Sequence, residues 1–295
     1  MYRKRSTRRL GALRRRRNLR PFRGRRSYSR PTRMTTKKIA RRTSARRILN
    51  LASTKKRDNM RPGDVALNGS VTMGEVSMAA VNPFTKLWCA TARDKIPDTS
   101  GDPNARAQRT STTCYMRGLK EKIMFRTNSD LAWRWRRVVF RCKGLHQLLQ
   151  YNAYAENSNG FIRAIGDLST DAAGTVRNAL ESYLFEGQAG VDWQTTWTAK
   201  TDTNRVTVLY DRTRLFQSGN GRGRFFTHNM WVPLNKNLVY GDDELGKSTN
   251  ETNYSTLGKQ GMGDVYVYDI FEANATDVNS TLSFQPEATL YWHEK

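Results

Sequence analysis

No acidic residue occurs in this chain before Asp58, and the 57 residues ahead of it carry 24 Lys or Arg. A like-charged run of that length cannot enter a hydrophobic core and repels copies of itself. It is therefore expected to stay disordered until a polyanion neutralises it. Residues 58–295 hold 27 basic and 26 acidic groups, so 24 of the 25 excess positive charges belong to the first segment. The expected division is a nucleic-acid-binding arm over 1–57 and a nearly neutral folded body over 58–295.

Within the arm, the residues expected to meet phosphate are Arg3, Lys4, Arg5, Arg8, Arg9, Arg14, Arg15, Arg16, Arg17, Arg20, Arg23, Arg25, Arg26, Arg41, Arg42, Arg46, Arg47, Lys55, Lys56 and Arg57. Gly11, Pro21, Gly24 and Pro31 oppose continuous helix in the first part. Residues 38–52 differ, because Ile39, Ile48, Leu49 and Leu51 sit among arginines and good helix formers. That stretch either becomes a basic helix on binding or docking, or stays disordered with the rest. The runs Arg14 to Arg17, Lys37-Lys38 with Arg41-Arg42, and Lys55 to Arg57 also fit the loose form of a nuclear-import signal.

The body is punctuated as β structure, with runs of β-branched and aromatic residues separated by Gly, Asn, Asp and Pro. Strands are expected near 65–80, 113–127, 132–142, 205–216, 225–234, 265–272 and 282–292, with shorter ones near 161–165 and 237–240. Val176, Leu180 and Leu184 recur at helical spacing after Ser169-Thr170-Asp171, which predicts one amphipathic helix over 170–185. Polar loops are expected at about 92–112, 150–160, 186–203 and 241–262. The fold class that follows is all-β: a single jelly roll, a double-sheet antiparallel sandwich, with one short inserted helix and a disordered basic arm.

Several motifs suggest chemistry. In Trp133-Arg134-Trp135-Arg136-Arg137, strict alternation puts the indoles on one face and Arg134 and Arg136 on the other. The tryptophans then fill core, while the two arginines either line a solvated surface or hold nucleic acid beside a stacking ring. Ser218-Gly219-Asn220-Gly221-Arg222-Gly223-Arg224 lacks the glycine spacing of a dinucleotide loop and is expected to be a hairpin. Cys89, Cys114 and Cys142 are too widely spaced for a zinc site and odd in number, so reduced structural thiols are expected. His146, His228 and His293 stand singly, Asp242-Asp243-Glu244 reads as a solvated turn, and no catalytic motif is present, so neither an enzyme nor a cofactor is expected. No apolar stretch approaches the roughly 20 residues that span a bilayer, and no apolar segment follows the basic start as in a secretory signal.

The arm's Ala40-Arg41-Arg42-Thr43-Ser44-Ala45-Arg46-Arg47-Ile48-Leu49-Asn50-Leu51-Ala52-Ser53-Thr54-Lys55-Lys56-Arg57-Asp58-Asn59-Met60, the Trp133 to Arg137 motif, and Tyr210-Asp211-Arg212-Thr213-Arg214 with Ser218-Gly219-Asn220 resemble genomovirus capsid proteins. The resemblance runs through most of the chain. It implies a jelly-roll subunit, an icosahedral virion shell of about sixty copies, packaging of circular single-stranded DNA, and entry into the host nucleus for assembly. The basic runs make a host nuclear-import receptor a further expected partner. Geminivirus coat proteins, similar in role, have a Cys and His cluster near the arm; this arm has neither residue. With about sixty arms, the interior would hold on the order of 1,400 positive charges, enough for a genome in the low thousands of nucleotides. A ribosome- or chromatin-associated protein with a basic tail is the alternative, and a tethered nuclease a more distant one.

Overall fold

The computed structural model describes residues 45–96, 106–171 and 173–295. The elements are α1 (Ala45–Ala52), β1 (Thr54–Met60), β2 (Pro62–Val65), β3 (Val71–Met73), β4 (Val76–Ala80), β5 (Phe84–Cys89), β6 (Thr113–Thr127), β7 (Trp133–Cys142), α2 (Leu145–Leu149) and β8 (Glu156–Asn157). They continue with β9 (Gly160–Phe161), β10 (Arg163–Asp167), α3 (Thr175–Leu184), β11 (Thr207–Phe216), β12 (Phe225–Leu245), β13 (Ser248–Ser255), β14 (Asp264–Ala273) and β15 (Asp277–Glu294).

Strand order fixes the architecture. In one sheet β4 pairs with β15, β15 with β6, and β6 with β12; in the other β5 pairs with β14, β14 with β7, and β7 with β11, every pair antiparallel. Among these eight strands, the first pairs with the last, the last with the third, and the third with the sixth. The second pairs with the seventh, the seventh with the fourth, and the fourth with the fifth. That is the pairing of a jelly roll, in which consecutive strands alternate between two packed sheets except for the fourth and fifth, which are neighbours in one. Edge strands extend both sheets: β1 beside β15 and β13 beside β12 on the first, β10, β2 and β3 beyond β5 on the second.

Three apolar layers hold the sandwich together. Trp88, Val139, Val265 and Val267 meet Leu119, Leu290 and Trp292 between the sheets. Farther along, Trp133, Trp135 and Phe271 meet Phe125 and Phe284, with the Phe125 and Trp135 rings 4.9 Å apart, edge to face. The third layer lies outside the second sheet, where Val138, Phe140, Tyr266 and Tyr268 are covered by Leu145, Leu149, Leu180, Leu184 and Phe185 from the long insertion between β7 and β11. That insertion carries α2 as well as α3, so the single inserted helix expected from the sequence is two. Asp171 serves the start of α3 by accepting from the Val176 amide at 2.9 Å.

Other expectations need correction. The boundary at residue 57 falls inside β1, which is paired along its length with β15. The strand expected over 65–80 is broken into β3 and β4 by turns, and β5 was not foreseen. The two strands near 225–234 and 237–240 are one, β12, interrupted by an irregularity where Asn235 takes a left-handed φ of 49°. The loop expected at 241–262 is largely a ribbon of β12 and β13. The glycine-rich run after β11 is no hairpin, because β11 and β12 lie in different sheets and the run carries the chain across.

Candidate nucleic-acid interface

Alternation along β6 turns Leu119, Glu121, Ile123 and Phe125 inward and leaves Lys120, Lys122, Met124 and Arg126 exposed. Register then assembles a surface around them. Lys120 lies between Trp231 of β12 and Thr289 of β15, Lys122 between Asn229 and Glu287, and Arg126 between Phe225 and Ser283. At the edge, β1 sets Lys55 beside His293 and Arg57 beside Tyr291. Trp231 is 50% exposed, and its ring meets that of Tyr291 at 5.8 Å. A Cβ on Gly118 would come within 2.5 Å of the indole, so only glycine lets Trp231 lie against the sheet there. Among the carboxylates facing these cations, Glu75 is bound to Arg126 at 2.7 Å and Glu287 neighbours Lys122. Cations interleaved with open aromatic faces are what single-stranded nucleic acid requires, phosphate contacts for its backbone and stacking for its bases.

The two outer faces of the sandwich thus differ in kind: one is roofed by the α2 and α3 insertion, and the other, among the described residues, is bare, basic and aromatic. The roof also decides the fate of the Trp133 to Arg137 motif. Trp133 and Trp135 are buried in the core, as alternation requires. Arg136 is buried beneath the insertion and gives Asp211 two hydrogen bonds of 2.9 and 2.7 Å, while Arg134 binds Glu272 at 2.7 Å and stacks over Trp197. Their charges are answered within the body. Lys56 is likewise buried, 3.0 Å from Glu294 and bonded to the Gln108 carbonyl. Lys56 and Arg136 are thus buried and ion-paired, against the phosphate-binding role expected for them, while Arg134 is paired with Glu272 but stays partly exposed. Lys55 and Arg57 are exposed on the bare face, and Arg47 is exposed on α1. The side chain of Arg46 and the positions from Arg3 to Arg42 lie outside the described residues.

Glu121 points the other way from its lysine neighbours because two arginines await it. Arg137 donates to Asp269 at 2.6 and 2.8 Å and to Glu121 at 2.7 Å; Arg163 donates to Glu121 at 3.1 Å and to Asp269 at 3.4 Å. The Trp135 indole N–H adds a bond to Asp269 at 2.7 Å, and Trp88 stacks against Arg163. All four charges are almost fully excluded from water. Burial opposes the charged form of Arg137, but Asp269 and Glu121 outweigh it and its pKa rises. The quartet is neutral and clamps the two sheets together; it offers nothing to a ligand.

The three cysteines are free and buried, as expected, with burial pushing each thiol pKa up. Among the described residues no cluster of three or more His, Cys, Asp or Glu is placed to hold a metal ion, and no helix is long and apolar enough to cross a membrane. Asp242 instead accepts from Thr112.

No protein-family model matches the chain, and no curated protein matches it. Matches among solved structures include an unassembled pentamer of the Washington University polyomavirus VP1, at 9% identity and a TM-score of 0.12, covering 82% of this chain and 95% of that one. The VP1 of Trichodysplasia spinulosa-associated polyomavirus matches at 9% identity and a TM-score of 0.10, covering 82% of this chain and 76% of that one. Superpositions this loose carry no weight, and the jelly-roll assignment stands on the chain's own strand order.

Proposed function

We propose that this chain is the structural subunit of a viral shell, a capsid protein of the genomovirus kind, which encloses circular single-stranded DNA. The observation that carries this reading is the unequal treatment of the two outer sheet faces. One is covered by the insertion, while the other keeps Lys120, Lys122, Arg57 and Trp231 open. The basic arm runs in sequence directly into β1, the edge strand of that same open face. In the proposed arrangement the arm condenses DNA with little sequence preference, the open face takes the strand nearest the shell, and other edges and loops bind further copies. The basic runs of the arm double as import signals, placing assembly in the nucleus and the product in the virion.

Deleting residues 1–44 and, separately, replacing Lys120 and Lys122 by Glu tests the reading through single-stranded DNA retention across a salt series. The deletion is expected to remove most of the affinity and most of its salt dependence. The double substitution is expected to weaken binding by a further factor of about ten, since each phosphate contact contributes separately. Retention unchanged by the deletion at moderate salt would contradict the role given to the arm.

A further inference from the structure

Most cations buried in this body find carboxylates: Arg93 meets Asp58, Lys86 meets Asp167, Arg136 meets Asp211, and the quartet closes on itself, while Arg109 donates to the carbonyls of Arg93, Asp94 and Ser111. Arg141, half-buried on β7 at one end of the sandwich, differs. It has no ion pair among the described residues, and its Nε–H is buried without an acceptor. A buried donor left unmade costs about 1–3 kcal/mol, which an acceptor supplied from outside the chain would recover.

The surroundings define that partner. Arg141 lines a cavity of about 540 Å³ with Tyr115, Lys236, Asn235, Asn237 and Thr207, and no carboxylate contributes to the wall. Lys236 is exposed and has no ion pair among the described residues. Asn235 has its carbonyl oxygen occupied by Arg117, which leaves its amide as a donor. The wall is fixed in place: Asn235 holds the left-handed turn of β12, and on the opposite side Gly261, at φ 77°, packs so close that a Cβ would meet the Val239 amide at 2.8 Å. A preformed recess with two unpaired cations, several neutral donors and no acid is complementary to an anion.

We propose that this recess is a phosphate-binding site, independent of whether the chain forms shells. Its ligand is either a free phosphate or a backbone phosphate of a nucleic-acid strand. The Tyr115 ring, which lines the recess, lies 6.0 Å from that of His293.

Unfolding of the full chain in the presence of phosphate isolates the site, because phosphate that binds the arm equally before and after unfolding does not move the midpoint. At matched ionic strength, inorganic phosphate or, at high salt, oligothymidylate is expected to raise the thermal midpoint by about 3 °C at tenfold saturation. Lys236→Ala, at an exposed position that leaves folding intact, should abolish most of that rise. Lys247→Ala, removing an exposed cation outside the recess, should keep it. A response to inorganic phosphate identifies a free-anion site, and a response to the oligonucleotide alone identifies a backbone phosphate. Equal midpoint shifts in the wild type and Lys236→Ala with both probes would overturn the assignment.

Discussion

Asp264 is the carboxylate most at odds with its surroundings. It is fully buried, and its hydrogen bonds come from the Ser255 amide and hydroxyl and the Thr91 hydroxyl rather than from a cation. Burial raises its pKa to about 6 against those bonds. The native state therefore holds a proton that the unfolded chain has already released, and Asp264 costs stability as pH rises from about 4 to about 6, by on the order of 3 kcal/mol in total. Below about pH 4 both states are protonated and the cost vanishes. Urea midpoints of the wild type should therefore fall relative to those of Asp264→Asn across this window and run parallel to them above it. Identical pH dependence in the two proteins would show that Asp264 keeps an ordinary pKa. In the quartet of Arg137, Glu121, Arg163 and Asp269, by contrast, each charge is met by an opposite one, and removing one partner would strand another.

At the scale of elements, β1 shows why part of this fold was hidden. Its inward positions are Lys56, Asp58 and Met60, and the first two are buried against Glu294 and Arg93, residues far away in sequence. Periodicity reads hydrophobicity, so a strand whose inward positions are charged looks like the end of a basic tail. Deleting residues 1–44 should leave the thermal midpoint of the body unchanged. Deleting 1–60 strands Glu294 and Arg93 in the interior, each at a cost of about 3–5 kcal/mol, and should lower the midpoint steeply or prevent folding. An undiminished midpoint in the longer deletion would remove β1 from the folded body. The β12 and β13 ribbon was hidden for a related reason: its residues from Asp242 to Thr252 are polar and largely exposed, so only cross-strand pairing marks them as strands. By contrast β6 and α3 were legible because their apolar residues recur at the period of the element they form, and β7, β11 and β14 because they are rich in β-branched and aromatic residues between turn signals. The bare face was legible in principle from Leu119 to Arg126, where apolar residues and cations nearly alternate. The Trp133 to Arg137 motif drew attention instead, and only the insertion over its second face reveals that its arginines are already bound.

For the whole molecule, the jelly roll supplies two unlike surfaces at once. Roofing one sheet with the β7 to β11 insertion leaves the other free for a polyanion, and the arm adds a charge reservoir that the nearly neutral body lacks. In the proposed shell such subunits would hold their cations inside and present near-neutral protein outside, which would favour assembly upon nucleic acid and limit self-repulsion once the DNA is in place. A small binding protein with the same tail would gain nothing from closed association. Sedimentation of the full chain with circular single-stranded DNA, with negative-stain microscopy of the fastest fraction, is the most direct test. The account predicts closed, uniform particles that protect the DNA from nuclease. A species of one or two subunits that leaves the DNA open to digestion at every protein ratio would contradict it.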